Sequence, residues 1–396
     1  MEECGLNTSS CVPYPTTAPS HGSGMNGTSG ADPHAEFYRW SQFVTGVILY
    51  PIVIVIGLTG NTLTLIVLRH RKMLTSTNVF LAALAVSDIV KLLNDTLYFL
   101  VSILLRRHPV AGNRMLGYMY PFSHYIFNES VCVSAWLTVS VAVERYISVC
   151  HATRARVVCT VYRARLISAA VFLVMSLVAV PSAFRYTSVI VADPERNNST
   201  KYQIVLSTLG RNQRFMTVYT WIQNLLRSII PLFVLIALNS LIIQALRIER
   251  VRGKRISSRN RITLTLIVVV VVFIICIFPD AIMSTFFGFG YVDESDLVKG
   301  IREFTDALLS INSAVNFAIY CVCSRGFRDI FNETFCRRCG HELLTVVEGR
   351  SRTRSADEST RDGSPPLLSQ LAQKQEAELI GNGQQMSVYI GPQTSL

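Results

Sequence analysis

The sequence predicts an all-α membrane protein: a seven-transmembrane helix bundle with a short amphipathic membrane-surface helix after the seventh span. Three observations carry this prediction. Seven apolar stretches centre on 44–68, 79–105, 120–148, 166–185, 217–246, 262–289 and 302–323. Each is about long enough to cross a hydrocarbon core, which takes roughly 20 residues of helix. The run from Leu266 to Ile277 lacks the alternation of a barrel strand, and lipid offers the backbone no partners outside a helix or a closed barrel. Finally, the polar groups inside these stretches are few and spaced to face a shared interior, as their expense in hydrocarbon requires.

Residues 1–41 form a polar tail with sequons at Asn7-Thr8-Ser9 and Asn26-Gly27-Thr28. Its first fifteen residues contain no apolar core, so no cleaved signal peptide is expected. Among ten cysteines, only Cys4 and Cys11 fall in segments expected outside, making them the candidate disulfide. The spans then fill 42–323. The first carries Gly60-Asn61, and the second carries Asp88, Lys91 and Asp95. The third carries Ser134 and ends in Glu144-Arg145-Tyr146. The loop 186–214 between the fourth and fifth spans holds the overlapping sequons of Asn197 and Asn198. Pro231 marks the fifth span, Phe273, Cys276 and Pro279 the sixth, and Asn312-Ser313, Asn316 and Tyr320 the seventh.

Past the seventh span, 324–340 places Phe327, Ile330, Phe331 and Phe335 at helical spacing, with Arg325 and Arg328 between them and Cys336 and Cys339 behind. That pattern suits a helix on the membrane surface; the two cysteines are palmitoylation candidates or plain thiols. Residues 341–396 are expected to be disordered. Ser351, Thr353, Ser355, Ser359 and Thr360 are phosphorylation candidates, and Thr394-Ser395-Leu396 has the form of a PDZ-domain ligand.

Lys and Arg crowd the span ends at 69–72, 154–165, 247–261 and 325–338 more densely than the opposite ends. Together with the sequons, this places the N-terminus outside and the C-terminus in the cytoplasm. The same residues account for much of the net charge of +11, so the basic balance calls for anionic membrane lipids and not for nucleic acid. On this topology the sequons of Asn94, Asn128 and Asn332 should be silent. A membrane hydrolase would need intramembrane histidines and acids for zinc, whereas the histidines here scatter through tails, loops and helix ends. No duplicated half or pair of broken helices suggests a transporter.

The order and spacing of Asn61, Asp88, Glu144-Arg145-Tyr146, Pro231, Phe273-x-x-Cys276-x-x-Pro279 and Asn316 to Tyr320 resemble rhodopsin-like G-protein-coupled receptors over about residues 42–335. The resemblance implies a plasma-membrane receptor, not an enzyme, with a heterotrimeric G protein, arrestin and receptor kinases as partners. It implies an activation switch of Glu144, Arg145, Tyr146, Phe273, Pro279, Asn316 and Tyr320. It also implies an allosteric sodium pocket of Asp88, Ser134, Asn312, Ser313 and Asn316, with no other cofactor. The chain departs from the pattern in several places. Ile277 stands at the family's sixth-helix tryptophan, Phe317 at its seventh-helix proline, Asn239 at its fifth-helix tyrosine and Tyr120 at its third-helix cysteine. With no cysteine in 186–214, the family's loop disulfide cannot form. Tyr118-Met119-Tyr120-Pro121-Phe122, Val149-Cys150-His151, Arg154-Ala155-Arg156 and Ile311-Asn312-Ser313-Ala314-Val315-Asn316-Phe317 are similar to invertebrate FMRFamide-type neuropeptide receptors. An extracellular, amidated peptide is therefore the expected ligand, with a small molecule or lipid as the alternative.

Asp95, Asp280 and Asp306, from three helices, could converge on a cationic ligand group such as the arginine of an Arg-Phe-amide peptide. The competing reading is that Lys91 and Asp95, four apart on one helix, neutralise each other. Tyr125, Phe127, Trp221 and Phe286 are candidates for an aromatic wall, or for core packing. Phe127 and Ser310 stand where amine receptors and opsins would carry an aspartate and a lysine, so neither of those ligand classes fits.

Overall fold

The computed structural model describes residues 34–193, 199–251, 258–287 and 295–336. Seven helices among them are long and apolar enough to cross a membrane. They are α1 (Ala35–Leu68), α2 (Ser76–Arg107), α3 (Pro109–Cys150), α4 (Val161–Ala183), α5 (Gln213–Ile248), α6 (Ser258–Phe287) and α7 (Asp296–Cys323). Burial is inverted relative to a protein in water. Asp88, Lys91, Arg227 and Asp280 are almost fully buried, whereas Ile56, Leu173, Phe233 and Phe278 lie exposed around the outside. The outer surface thus suits hydrocarbon, and the polar side chains face one another.

Local sequence sets the helix boundaries. Thr75, Thr160, Asn212 and Ser295 each accept a hydrogen bond from the backbone N–H three residues on, opening α2, α4, α5 and α7. α1 and α5 each contain a π-helical turn, Val44–Leu49 and Leu225–Ile229. Both turns lie just before a proline, Pro51 and Pro231. A proline ring clashes with the carbonyl four residues back and donates no N–H, so the wider turn relieves it.

Two boundaries differ from the sequence reading. The third span was expected at 120–148, but α3 begins at Pro109, and only His108 separates it from α2. Arg106, Arg107 and Arg114 dilute the apolar signal there, while Pro109 at the first helical position favours a start. The segment expected as a loop is in part an antiparallel hairpin, β1 (Tyr186–Asp193) and β2 (Ser199–Leu206), with Tyr186 opposite Leu206 and Asp193 opposite Ser199.

With no cysteine in 186–214 for the family's loop disulfide, aromatic contacts hold this hairpin onto α3. Tyr120 meets Tyr186 edge-on at 5.2 Å and stacks on His124 at 6.3 Å, and His124 meets Tyr186 at 5.1 Å. Asn113 accepts the Tyr202 N–H, and Tyr118 packs on Tyr202 at 5.4 Å. A Cβ at Gly117 would come within 2.9 Å of the Tyr202 Cβ, so only glycine permits this approach.

Below this end, α1 lies close against α7 because Cβ atoms at Gly57 and Gly60 would fall 3.0 Å from Ala314 Cβ and 2.9 Å from Phe317 Cβ. Asn61 fixes the pair by donating from Nδ2 to the Ser313 carbonyl at 2.8 Å. Phe317 packs on Phe327 of α8 (Arg325–Phe331) at 6.0 Å. Phe327 and Ile330 are therefore buried in protein, although the amphipathic pattern predicted a face turned to lipid. The chain divides into units Met1–Ile330 and Phe331–Leu396. In the second unit, Phe331 and Phe335 pack at 4.9 Å. Asn7, Asn26, Asn197, Asn198, Cys4, Cys11 and Cys339 lie outside the described residues, as does the tail after Cys336.

Tyr120→Ala should lower the melting temperature, by about 3 kcal/mol of stability for a truncated buried aromatic, and should expose 186–206 to protease. Reducing agent should leave the protease resistance of wild-type 186–206 unchanged; loss of resistance on reduction would contradict the aromatic attachment.

Candidate functional site

Three polar assemblies are stacked along the bundle. The first joins the start of α2 to the end of α3. The Ser76 hydroxyl donates to the Glu144 carboxylate, and the Arg145 guanidinium donates to Thr77 Oγ1. Arg145 Nη2 also lies 3.3 Å from Glu144 Oε1, and both side chains are buried. A cavity of about 10 Å³ beside Arg145 is lined by Val141 and Ala142 of α3, Asn239 and Ile242 of α5, and Ile267 and Val270 of α6. Asn239 Nδ2 turns back to donate to the Leu235 carbonyl of its own helix at 2.7 Å. Tyr146 packs edge-on against His151 at 5.6 Å. Just beyond the span, partial burial and the Glu144 carboxylate raise the Cys159 thiol above its ordinary range, which keeps it protonated and unreactive near neutral pH.

The second assembly surrounds Asp88. Asn316 Nδ2 donates to Asp88 Oδ2 at 2.8 Å. Asp88 Oδ1, Ser134 Oγ and the Tyr320 hydroxyl are buried with no hydrogen-bond partner among the described residues. Ser134, Asn312 and Ser313 line a second cavity of about 10 Å³, together with Phe273 and Ile277. The side-chain oxygens of Ser134, Asn312 and Ser313 at this cavity, with the unpartnered Asp88 Oδ1 as a further oxygen of the same assembly, are the hard donors a small cation takes. Lys91 lines the same cavity, and its fixed positive charge opposes such an ion.

The third assembly is a hub of two buried ion pairs. Lys91 Nζ lies 2.7 Å from Asp95 Oδ2 and donates to Ser310 Oγ at 2.8 Å, while Ser310 in turn donates to Asp95 at 2.8 Å. Across the bundle, Arg227 Nη2 lies 2.8 Å from Asp280 Oδ2, and Nη1 donates to Asn128 Oδ1 at 3.1 Å. Lys91 Nζ and the Arg227 guanidinium carbon each lie 5.3 Å from the Phe127 ring centre, within cation–π range. The π-helical turn of α5 contains Arg227, and Pro279 immediately precedes Asp280 in α6. Phe273 and Ile277 pack below with Val131, Ala135, Leu235 and Leu309.

Most of the expected ligand-contacting residues are thus differently placed. Asp95 and Asp280 are not open carboxylates, because Lys91 and Arg227 neutralise them. Asp306 is half-buried on α7, its carbonyl accepting from Ser310. Tyr125 points to α4, where its hydroxyl donates to the Ser176 carbonyl at 3.4 Å. Trp221 is 50% exposed and Phe286 75% exposed, so both face away from the core. Of the aromatics, Phe127 alone reaches the hub. Arg227 was missed, although an arginine inside an apolar stretch is the signal that singled out Asp88. Asn128 and the Ser76-Thr77 pair were missed too, since serine, threonine and asparagine carry little weight outside a three-dimensional context.

A family model described as "7 transmembrane receptor (rhodopsin family)" matches residues 60–320. The FMRFamide receptor of Drosophila melanogaster is 29% identical over 314 residues, covering 78% of this chain and 56% of that protein. The chain therefore spans little more than half the length of that relative. The sex peptide receptor of Drosophila melanogaster is 29% identical over 328 residues, covering 73% of this chain and 72% of that protein. Sex peptide receptor-related protein 2 of Caenorhabditis elegans is 26% identical over 340 residues, covering 77% and 74%.

Proposed function

Because this chain belongs to the rhodopsin family of seven-transmembrane receptors, we propose that it is a plasma-membrane neuropeptide receptor that passes agonist binding to a heterotrimeric G protein. In this reading the N-terminus lies outside and the basic Arg145 end in the cytoplasm, which the sequons and the excess of Lys and Arg at that end support. Relatives whose names specify FMRFamide and sex peptide support a peptide ligand. The observation that carries the signalling role is the Glu144–Arg145 lock on Ser76 and Thr77 beside a cavity shared by α3, α5 and α6. Arg145 is held by short-range contacts that a separation of helix ends would release, exposing a cation to an inserted partner. Cells expressing the chain should respond, in calcium and G-protein-dissociation assays, to members of a library of amidated Arg-Phe peptides. Arg145→Ala should abolish nucleotide exchange while leaving peptide binding intact, and Thr77→Ala should raise agonist-free exchange several-fold. Silence across the library at confirmed surface expression would refute the peptide assignment.

An allosteric sodium ion belongs to the same reading, held by Asp88 and Ser134 with Asn312, Ser313 and Asn316 around it. A bound sodium would supply positive charge to the otherwise half-satisfied Asp88 carboxylate. The Lys91 ammonium weakens that affinity by charge repulsion. The melting temperature should rise slightly in sodium chloride relative to choline chloride, more in Lys91→Met and not at all in Asp88→Asn. An equal response in Asp88→Asn would remove the site.

A further inference from the structure

Arginine is rare in a membrane-spanning helix, and among the described residues Arg227 is the largest side chain with essentially no solvent exposure. What surrounds it is a receptor for a guanidinium group. Asp280 Oδ2 accepts from Nη2 at 2.8 Å, and Asn128 Oδ1 accepts from Nη1 at 3.1 Å, so the two terminal nitrogens of the fork each have their own acceptor. The Phe127 ring lies 5.3 Å from the guanidinium carbon. Carboxylate, amide oxygen and aromatic ring are the three contacts that distinguish a planar, forked cation from a compact ammonium. Asn128 is itself oriented, because its Nδ2 donates to the His124 carbonyl at 2.7 Å and so presents its oxygen to the arginine.

Polar groups continue from this cradle along α5 and α6 towards the hairpin end. Asn224 Nδ2 donates to Thr285 Oγ1 at 2.7 Å, and Ser284 Oγ donates to Asn224 Oδ1 at 3.3 Å. Gln223 is 1% exposed, and its Nε2 has no hydrogen-bond partner among the described residues. A buried donor left unsatisfied is unfavourable by itself, and it suits a peptide carbonyl arriving beside the cradle.

We propose that Asp280, Asn128 and Phe127 form a guanidinium-recognition subsite that the chain's own Arg227 fills in this structure and that an agonist's arginine takes over. The inference rests on the peptide-receptor reading for the identity of the occupant, but not for the existence of the cradle. Exchange of one guanidinium for another keeps Asp280 paired throughout, which avoids an isolated carboxylate in a medium of low dielectric constant. It also displaces Arg227 from Asp280, so an acceptor group of the ligand must take the Arg227 N–H groups in turn, and it alters the connection between α5 and α6, so ligand chemistry is converted into a change of helix contacts. Lys91, an ammonium, neutralises Asp95, whereas the cation that Asp280 holds is a guanidinium.

The cradle can be tested without any peptide. In purified full-length Arg227→Ala, methylguanidinium at tens of millimolar should raise the melting temperature by about 3 °C. Methylammonium should do so much less, and neither should act on wild type or on Arg227→Ala/Asp280→Ala. Equal effects of the two cations, or no effect of either, would overturn the cradle. The occupant is tested with an active amidated Arg-Phe peptide and its citrulline counterpart. Wild type should favour the arginine form by about 10- to 100-fold, the range for a hydrogen bond to a charged group. Arg227→Met/Asp280→Met removes both charges together and so leaves none unpaired, which also answers the case in which Arg227→Ala fails to fold. It should respond to the two peptides equally. Discrimination retained in that double variant would overturn the ligand role. Failure of every peptide, with methylguanidinium rescue intact, would refute the peptide reading and the agonist exchange while leaving the cradle.

Discussion

Pairing of charge inside hydrocarbon is the constraint on which the rest of this structure depends. An ion without a partner at that depth is destabilising by several kcal/mol, and no water is at hand to relieve it. Lys91 with Asp95, within α2, and Arg227 with Asp280, across α5 and α6, satisfy the constraint. Asp95 reaches α7 through Ser310, Arg227 joins α5 to α6 and, through Asn128, to α3, and both cations approach Phe127. Five of the seven spans therefore meet in one polar hub. A buried pair is weak evidence for stability, since apolar residues can often replace both members; what it sets here is the relative placement of helices that lipid alone would not order.

The hub is also where a ligand's chemistry and the signalling end come into mechanical contact. α6 carries Asp280, then Ile277 and Phe273 in the central apolar cluster, then Val270 beside Arg145. A continuous helix transmits a displacement at one turn to the others, so a change in the partner of Asp280 reaches the cavity beside the lock without a separate relay. At the opposite end the hairpin hangs on Tyr120, His124 and Tyr186. Tyr120 lies on α3 two helical turns from Phe127, which ties the entrance to the hub.

The architecture was legible in the sequence because hydrocarbon imposes it: length and apolarity locate the spans, and rare polar residues mark their inner faces. Asp88, Asn316, Glu144 and Arg145 were recognisable for that reason, and the Lys91–Asp95 pair from a spacing of four. Three kinds of feature were not legible. The start of α3 at Pro109 lies beyond the apolar signal, in a turn with charges of its own. The hairpin's strands, with short apolar runs such as Val189–Ala192 among polar residues, were read as loop, and what holds them in place is contact with tyrosines distant in sequence. The partner of Asp280 sits fifty-three residues away on another helix, and no local pattern announces it; Arg227 itself was passed over, although an arginine inside an apolar stretch is a legible signal. Trp221 and Phe286 were misjudged because aromatic residues suit both a pocket and a lipid face, and only helix rotation decides between them.

The most direct test of charge pairing as the organising constraint is a double-mutant cycle on Lys91 and Asp95, read as thermal unfolding of the purified full-length protein. Lys91→Met and Asp95→Leu should each destabilise, and the double variant should be more stable than either single one, with a coupling of about 1–3 kcal/mol. Additive losses, with the double variant the least stable of the three, would contradict the account.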